Sequence, residues 1–430
     1  MPWRDQLLPE RMARTAIVAP ETRLRRVLVE VADAGVFEPD QLEPPGELAL
    51  LADDESLEQR LATARLVGRC SVLPGWIPGP KVEALRQRIA PFGGAVAEIP
   101  VRRGIIAPTA HGDTPMGSAL RPLVTTYATV PYRDIDPTLF AAVSYMVMFG
   151  MMFGDVAHGL AVVLFGVMAL RFGSERQPAA HRAAPFLIGA GVAATCFGLL
   201  YGEAFGPTGL VPTLWLRPLD EPETLLAVGL VVGACLLAVT FVLGTVNRWR
   251  EAGPAVALYD TSGIGGSLLF AGAAAFVGGT VGSINQLSQA GIGAAAVGAV
   301  LTFIGLFVKA GVGPAGLAQA LVEMFDTVLR LGSNIVSFTR LAAFGLTHAV
   351  LSEVTWDGTV SLWDRSGVVN IAAAIVLFVA GNLAAFTLGA LVGAIQALRL
   401  EYYEMFSRLF TTQGRPFEPW HIPTKTSEPS

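Results

Sequence analysis

The chain has 430 residues, of which 52% are hydrophobic and only 15% charged, with a mean hydropathy of +0.53 and a formal net charge of −5. Soluble domains carry about 25% charged residues, so this composition excludes an ordinary soluble enzyme and defines an integral membrane protein. The net charge itself says little, and no nucleic-acid partner is expected.

Polarity is uneven along the chain. Residues 1–136 are rich in Arg, Asp, Glu and Pro, whereas 137–400 read as span after span. No apolar core follows Met1–Arg14, so the start does not read as a signal peptide. Thr15–Val18 is a strand candidate, followed by a helix over Thr22–Ala34 with Leu24, Val27, Leu28 and Val31 at helical spacing and Gly35 as its stop. One short helix is expected over Asp53–Leu66. Cys70–Leu73 is a second strand candidate, then come Gly75-Trp76-Ile77-Pro78, a helix from Lys81 to Ile89, and a strand over Ala95–Ile99. Two strand–helix units predict a compact α/β domain over 1–105. Residues 106–136 read as an irregular linker. Cys70, Cys196 and Cys235 lie far apart and support neither a disulfide framework nor a metal cluster; no metal and no cofactor is expected.

Eight apolar segments of about 17 residues or more follow, at roughly 138–153, 156–172, 184–201, 225–246, 257–281, 290–310, 316–352 and 367–403. The fold class is therefore an α-helical polytopic membrane protein with a small N-terminal α/β domain. The membrane domain runs over 137–404 and a tail over 405–430. Arg171, Arg176 and Arg182 share one connection, Arg248 and Arg250 another, and Lys309 ends the sixth span. The opposite connections carry Glu203, Asp220, Glu221, Glu223, Asp357 and Asp364 with only Arg217 and Arg365. Positive charge marks the cytoplasmic side, which puts the N-terminal domain and the C-terminus in the cytoplasm. Spans five and six are rich in Gly and Ala, which permits close helix approach in lipid; composition bias explains them equally well.

The seventh segment is unusual. As one helix, 316–352 measures roughly 55 Å against a hydrocarbon core of about 30 Å, so it must tilt, project or break; the eighth has the same excess. Arg340 sits in the nearly uninterrupted apolar stretch Leu329–Val350. A guanidinium at membrane depth costs a few kcal/mol or more and cannot shed its proton, so it requires a partner or a polar cavity. Arg399 ends the last apolar segment. At about 100° per residue, Asp326, Ser333, Asn334, Ser337, Arg340 and Thr347 share one side of a continuous helix. Such a stripe suits a water-lined path; helix–helix hydrogen bonding explains the hydroxyls as well, but not the arginine. Phe149–Gly159 places Asp155 and His158 between two apolar runs, where the chain reverses at the outer face. Tyr201–Gly206, with Glu203, is a similar turn. A plain polar turn remains the alternative for both.

Taken in order, Phe149–Gly159, Tyr201–Gly206, Ser333-Asn334, Ser337–His348, Leu351–Val354, Gln396–Glu401 and Gly414–Pro419 resemble subunit I of archaeal and bacterial A/V-type rotary ATPases, the counterpart of eukaryotic subunit a, over about Tyr132–Trp420. The resemblance implies that Arg340 faces a rotating ring of small membrane subunits, with Arg399 nearby. It places Asp155, His158, His348, Glu353 and Gln396 in an outer half-channel, and Asp326, Ser333, Asn334 and Ser337 in a cytoplasmic one. It implies a multi-pass subunit of a bacterial or archaeal cell membrane. Its partners would be the proteolipid c-ring and the peripheral and central stalk subunits, with no catalytic site of its own. No Gly-rich phosphate loop ending in Lys-Ser/Thr occurs, so direct ATP binding is not expected. The N-terminal part departs from the family pattern, because about 36 residues stand where a long coiled-coil arm is usual. Two other readings stay open: a secondary ion-coupled transporter, for which no similarity between the two halves speaks, and a non-conducting scaffold derived from the family.

Overall fold

The computed structural model describes residues 9–40, 65–67, 70–101, 105–110, 119–172, 178–365, 367–410 and 414–421. It comprises two compact units: Met1–Gly112 with Ala128–Asp136 and Thr412–Ser430, and Asp113–Tyr127 with Pro137–Thr411.

In the first unit, β1 (Met12–Pro20) pairs antiparallel with β4 (Cys70–Pro78) on one side and with β5 (Ala95–Glu98) on the other. Two short strands, β2 (Glu38–Pro39) and β3 (Arg65–Val67), also add antiparallel to β4. Helix α1 (Leu24–Ala34) buries Leu24, Val27, Leu28 and Val31, the apolar stripe visible in the sequence. It stops where Gly35 takes φ 57°, a left-handed cap that a residue with a Cβ adopts at a cost. Helix α2 (Val82–Ile89) buries Val82, Leu85 and Ile89 at the same spacing. These residues close one core with Ile17, Phe37, Leu73, Ile77 and Val96. The helix expected over Asp53–Leu66 falls mostly on residues outside those described, and its last positions, Arg65 and Leu66, belong to β3.

Two stretches read as connections have structural roles in this unit. The supposed tail brings Trp420 into the core, where its backbone N–H donates to the Phe37 carbonyl at 2.9 Å. In the supposed linker, Thr109 bridges to Pro416, its hydroxyl donates to the Val130 carbonyl at 2.8 Å, and Tyr132 Oη accepts the Met12 N–H at 3.0 Å. Ala107, Ala110 and Val130 are buried, but without the periodicity that would have exposed their role in the sequence. A one-turn helix, Pro122–Thr125, lies between them in sequence and belongs to the second unit.

Glu38 is only 6% exposed. Its Oε2 accepts the Glu418 N–H at 3.0 Å and its Oε1 lies 2.9 Å from Arg415 Nη2. Burial raises its pKa above the usual carboxylate range, against the opposing pull of the Glu418 amide and Arg415. The folded unit therefore holds this proton more tightly than the unfolded chain does. Its contribution to stability is complete below the ordinary Glu range, near pH 4, and is lost as pH rises through the folded pKa. Glu38→Gln should flatten that slope: melting temperatures of wild type and variant, followed from about pH 4 to 7, should differ in pH dependence whatever their offset.

The second unit holds the apolar helices. α3 (Thr138–Met152) and α4 (Val156–Phe172) are the two shorter ones. α5 (Pro178–Tyr201) and α6 (Pro222–Ala252) follow, then a short helix Pro254–Tyr259, α7 (Ile264–Val281) and α8 (Asn285–Ala310). α9 (Pro314–Ser337), α10 (Thr339–Asp364) and α11 (Val368–Leu400) complete the unit. Among the described residues, six helical stretches are long and apolar enough to cross a membrane. Their outer faces expose Val231, Val242, Val300, Val322 and Leu383, apolar surface that suits lipid rather than water.

Three boundaries differ from the sequence reading. The fifth segment is interrupted, because Asp260 accepts the Ser262 N–H at 2.9 Å and turns the chain between Tyr259 and Ile264. The charged stretch with Asp357 and Asp364 is not a loop but the last third of α10, where Trp356 packs on Phe378 of α11. The long seventh segment is interrupted at a single residue, Phe338, which ends α9 and begins α10 while keeping right-handed helical dihedrals (φ −74°, ψ −9°). The glycines of spans five and six do bring backbones together: Gly272 and Gly298 leave no room for a Cβ against α8 and α7 respectively.

Candidate functional site

The break at Phe338 is built by a glycine on another helix. Phe338 is fully buried, and its ring fills the place a side chain on Gly233 of α6 would take. The chain turns through short i−3 bonds there, from Phe338 N–H to the Ile335 carbonyl and from Leu341 N–H to the Phe338 carbonyl. Arg340 follows two residues later, and its Nη1 lies 3.6 Å from Oε1 of Glu404. The arginine side chain is 30% exposed and the glutamate 7%. The contact is ionic rather than hydrogen-bonded: Arg340 Nη1 and Glu404 Oε2 are buried without a hydrogen-bond partner.

Glu404 belongs to a π-helical turn, Glu401–Phe406, that continues α11; such turns concentrate at functional sites. Ser337 lies close to Glu404, and the fields of Arg340 and Arg399 both act on that carboxylate. The structure thus gathers Ser337, Arg340, Arg399 and Glu404 about one helix break. The sequence located both arginines but not Glu404, the counter-charge that a membrane-depth guanidinium requires. Its one signal was a pair of carboxylates, Glu401 and Glu404, closing an apolar segment. Glu401 has a different role: fully buried, it accepts the Ser144 hydroxyl at 2.8–3.0 Å.

The other cytoplasmic candidates are not drawn to Arg340. Asp326 is 52% exposed and pairs with Arg330 on its own helix at 2.7 Å. Ser333 is exposed and Asn334 half-buried. Of the stripe, Asp326, Ser333, Asn334 and Ser337 precede Phe338 on α9, and Arg340 and Thr347 follow it on α10.

A second cluster lies further along α10. Asp155, in the turn between α3 and α4, is completely buried; its Oδ1 accepts the His158 N–H at 2.9 Å and its Oδ2 the Gly206 N–H at 3.1 Å. Gly198 of α5 lets that turn press directly against the α5 backbone, since a Cβ there would overlap Asp155 and Val156. His158 and His348 are buried with ring centroids 5.4 Å apart, and donor atoms of Asp155, His158 and His348 all lie within 4.8 Å of one another. Phe153, Phe205 and Phe386 wall the imidazoles. Phe205 holds φ 54° to place its ring edge-on to His158, a conformation that costs an L-residue about 1–2 kcal/mol.

Glu203 is buried within the field of Asp155 and Glu353; burial first, then those two charges, push its pKa up to about 8. The structure thus brings together Asp155, His158 and His348, sets Glu203 and Glu353 within electrostatic reach, and leaves Gln396 apart. Gly389 is the α11 residue that faces His348 Nδ1, and Gln396 is two turns, about 10 Å, further along α11, three residues before Arg399.

Fold and sites together define a polytopic α-helical membrane protein with buried ionisable groups arrayed along a broken helix. The chain belongs to the V-type ATPase 116kDa subunit family, which residues 61–209 and 317–422 match. The matched stretches contain both clusters; α6, α7 and α8 lie between them. The chain is 27% identical to A-type ATP synthase subunit I of Aeropyrum pernix, over 95% of this chain and 66% of that protein. It is 29% identical to the subunit I of Archaeoglobus fulgidus, over 86% and 62%, and 28% identical to that of Halobacterium salinarum, over 67% and 48%. The chain thus spans about half to two thirds of the length of these relatives, which fits the shortened form inferred from its N-terminal departure.

Proposed function

We propose that this chain is the membrane stator of a rotary A/V-type ATPase, forming two ion half-channels against a rotating ring of proteolipid subunits. The observation that carries the reading is Arg340: a part-exposed guanidinium beside the interruption at Phe338, whose one ionic contact among the described residues, to Glu404, leaves an N–H without a hydrogen bond. A ring carboxylate, supplied by another chain, crosses lipid only when neutral. Passing Arg340, it is stabilised as the anion and releases its ion to one half-channel; the next carboxylate is loaded from the other. Glu404 holds Arg340 between such encounters, and the fixed positive charge blocks direct leakage of cations between the two paths. Asp155, His158, His348, Glu203 and Glu353 would line the outer path, with Gln396 between it and the arginines. Asp326, Ser333, Asn334 and Ser337 would line the cytoplasmic one.

In this reading ATP is handled by partner subunits, and the chain couples ion flow to their work through the central stalk. The N-terminal unit and the C-terminus are cytoplasmic, in a bacterial or archaeal cell membrane. With a shortened arm, contact with the peripheral stalk falls to the compact unit itself or to another subunit. Family membership favours this reading over a secondary transporter.

Sidedness tests it. Asp326→Cys and Glu353→Cys, each in a background lacking Cys70, Cys196 and Cys235, should react with an impermeant thiol reagent from opposite sides of sealed vesicles, Asp326→Cys from the cytoplasmic face. They stand 14 and 13 residues from Arg340, roughly 20 Å of helix each. Labelling of both from the cytoplasmic face would defeat the two-channel arrangement.

A further inference from the structure

The outer cluster has a feature that an ion path alone does not require. All four ring nitrogens of His158 and His348 are buried without a hydrogen-bond partner. Buried polar atoms are nearly always satisfied, by protein or by a bound water or ion. His158 Nδ1 faces Asp155 Oδ1 at 3.7 Å, too long for a hydrogen bond, and the Asn382 backbone lies nearby without completing one. The imidazoles are also confined: Phe153, Phe205 and Phe386 wall them, and Gly389 approaches His348 Nδ1 so closely that a Cβ there would stand 2.6 Å from it. Two carboxylates, Asp155 and Glu203, are buried in one another's field.

We propose that Asp155, His158 and His348 form a binding site for a divalent transition-metal ion, Zn2+ or a chemically similar ion. Two imidazole nitrogens and one carboxylate oxygen are a borderline donor set. It suits Zn2+, Co2+, Ni2+ or Cu2+ and not Mg2+ or Ca2+, which take oxygen ligands. Three protein ligands leave a fourth position to water. Bonds of about 2.0–2.2 Å require donor atoms about 3.3 Å apart. The observed spread of up to 4.8 Å closes by rotation of the two rings. Asp155 has lone pairs left after accepting its two backbone amides, and those amides fix it as a ligand. A dication would offset the two buried carboxylates.

The site stands on geometry alone. Its consequence rests on the proposed function: a bound ion would plug the outer half-channel, making transition metals inhibitors of ion flow from that side.

The purified full-length chain in detergent, stripped with chelator, is titrated with Co2+ and then Zn2+. One equivalent of Co2+ should bind with the ligand-field absorption of a nitrogen-ligated, low-coordinate ion, be displaced by Zn2+, and raise the melting temperature. His158→Ala/His348→Ala should lower affinity by about 100-fold or more, beyond the ~10–100-fold loss typical when only the outer shell of a site is disturbed. His348→Cys, which keeps a donor, should restore stoichiometric Zn2+ binding and separates ligand loss from misfolding. Absence of stoichiometric binding, or binding unchanged in the double variant, overturns the site. In vesicles bearing the whole complex, Zn2+ added at the outer face should inhibit wild-type ion transport. Stoichiometric binding without inhibition supports the metal site and tells instead against the placement of these residues in the ion path.

Discussion

Arg340→Ala in an assembled complex is expected to reduce ion-coupled ATP hydrolysis or synthesis to background while the chain remains in the membrane. The expectation follows from what the guanidinium touches. It is 3.6 Å from Glu404, a carboxylate that also feels Arg399, and two residues past Phe338. Glutamine keeps hydrogen-bonding capacity but not charge, so Arg340→Gln should fail equally. Lysine keeps the charge as a compact ammonium on a shorter reach, so Arg340→Lys should retain little activity. Proton movement into reconstituted vesicles, measured with a pH-sensitive dye, is the assay. Wild-type pumping by Arg340→Ala would remove the arginine from the mechanism and with it the stator reading. Loss of pumping with retained assembly and a normal melting temperature would locate the defect in coupling rather than in folding.

Much of the fold was legible because its signals are local. The stripe Leu24, Val27, Leu28, Val31 and the glycine after it specify α1 without reference to anything else. The apolar segments declare themselves by length. What could not be read depends on partners distant in sequence. Nothing in Ser337-Phe338-Thr339 marks a break, since no Pro or Gly is present; the cause is Gly233, more than a hundred residues earlier, which makes room for the Phe338 ring. Glu404 looks like an ordinary acid at the end of a span until α11 passes through its π-turn and sets the carboxylate beside Arg340. Asp357 and Asp364 read as loop residues by charge, yet their helix is held by Trp356 and Phe378. Trp420 reads as tail because only the folded N-terminal unit supplies its core. Of the candidate site, types and spacing marked Arg340, Asp155, His158 and His348. Which of the polar residues actually meet was decided by glycines at 198, 206 and 389, whose purpose shows only when another chain segment lies against them.

Asp155 should prove structural and functional at once, and two substitutions separate the roles. Its carboxylate is wholly buried and accepts two backbone N–H groups, one from its own α4 at His158 and one from Gly206 some fifty residues later. Asp155→Ala leaves both amides without an acceptor in a site walled by aromatic rings. An orphaned buried donor costs about 1–3 kcal/mol, so the variant should be destabilised by about 2–6 kcal/mol, less any relief from a water that enters. Asp155→Asn is nearly isosteric and keeps one carbonyl oxygen. It can satisfy one amide but presents an NH2 to the other, so about half of that loss is expected. The charge is gone in both. If Asp155 serves only to pin the turn after α3 to the loop after α5, ion transport should follow stability, and the Asn variant should fall between Ala and wild type in both. If it also serves the outer path, Asn should assemble nearly as well as wild type and yet transport at least about tenfold more slowly, the loss of about 1.4 kcal/mol in barrier that removal of one electrostatic or hydrogen-bonding contact readily exceeds. Thermal unfolding and transport, measured on the same preparations, decide between the two. An Ala variant with wild-type melting and wild-type transport would show that the cluster around His158 and His348 contributes to neither.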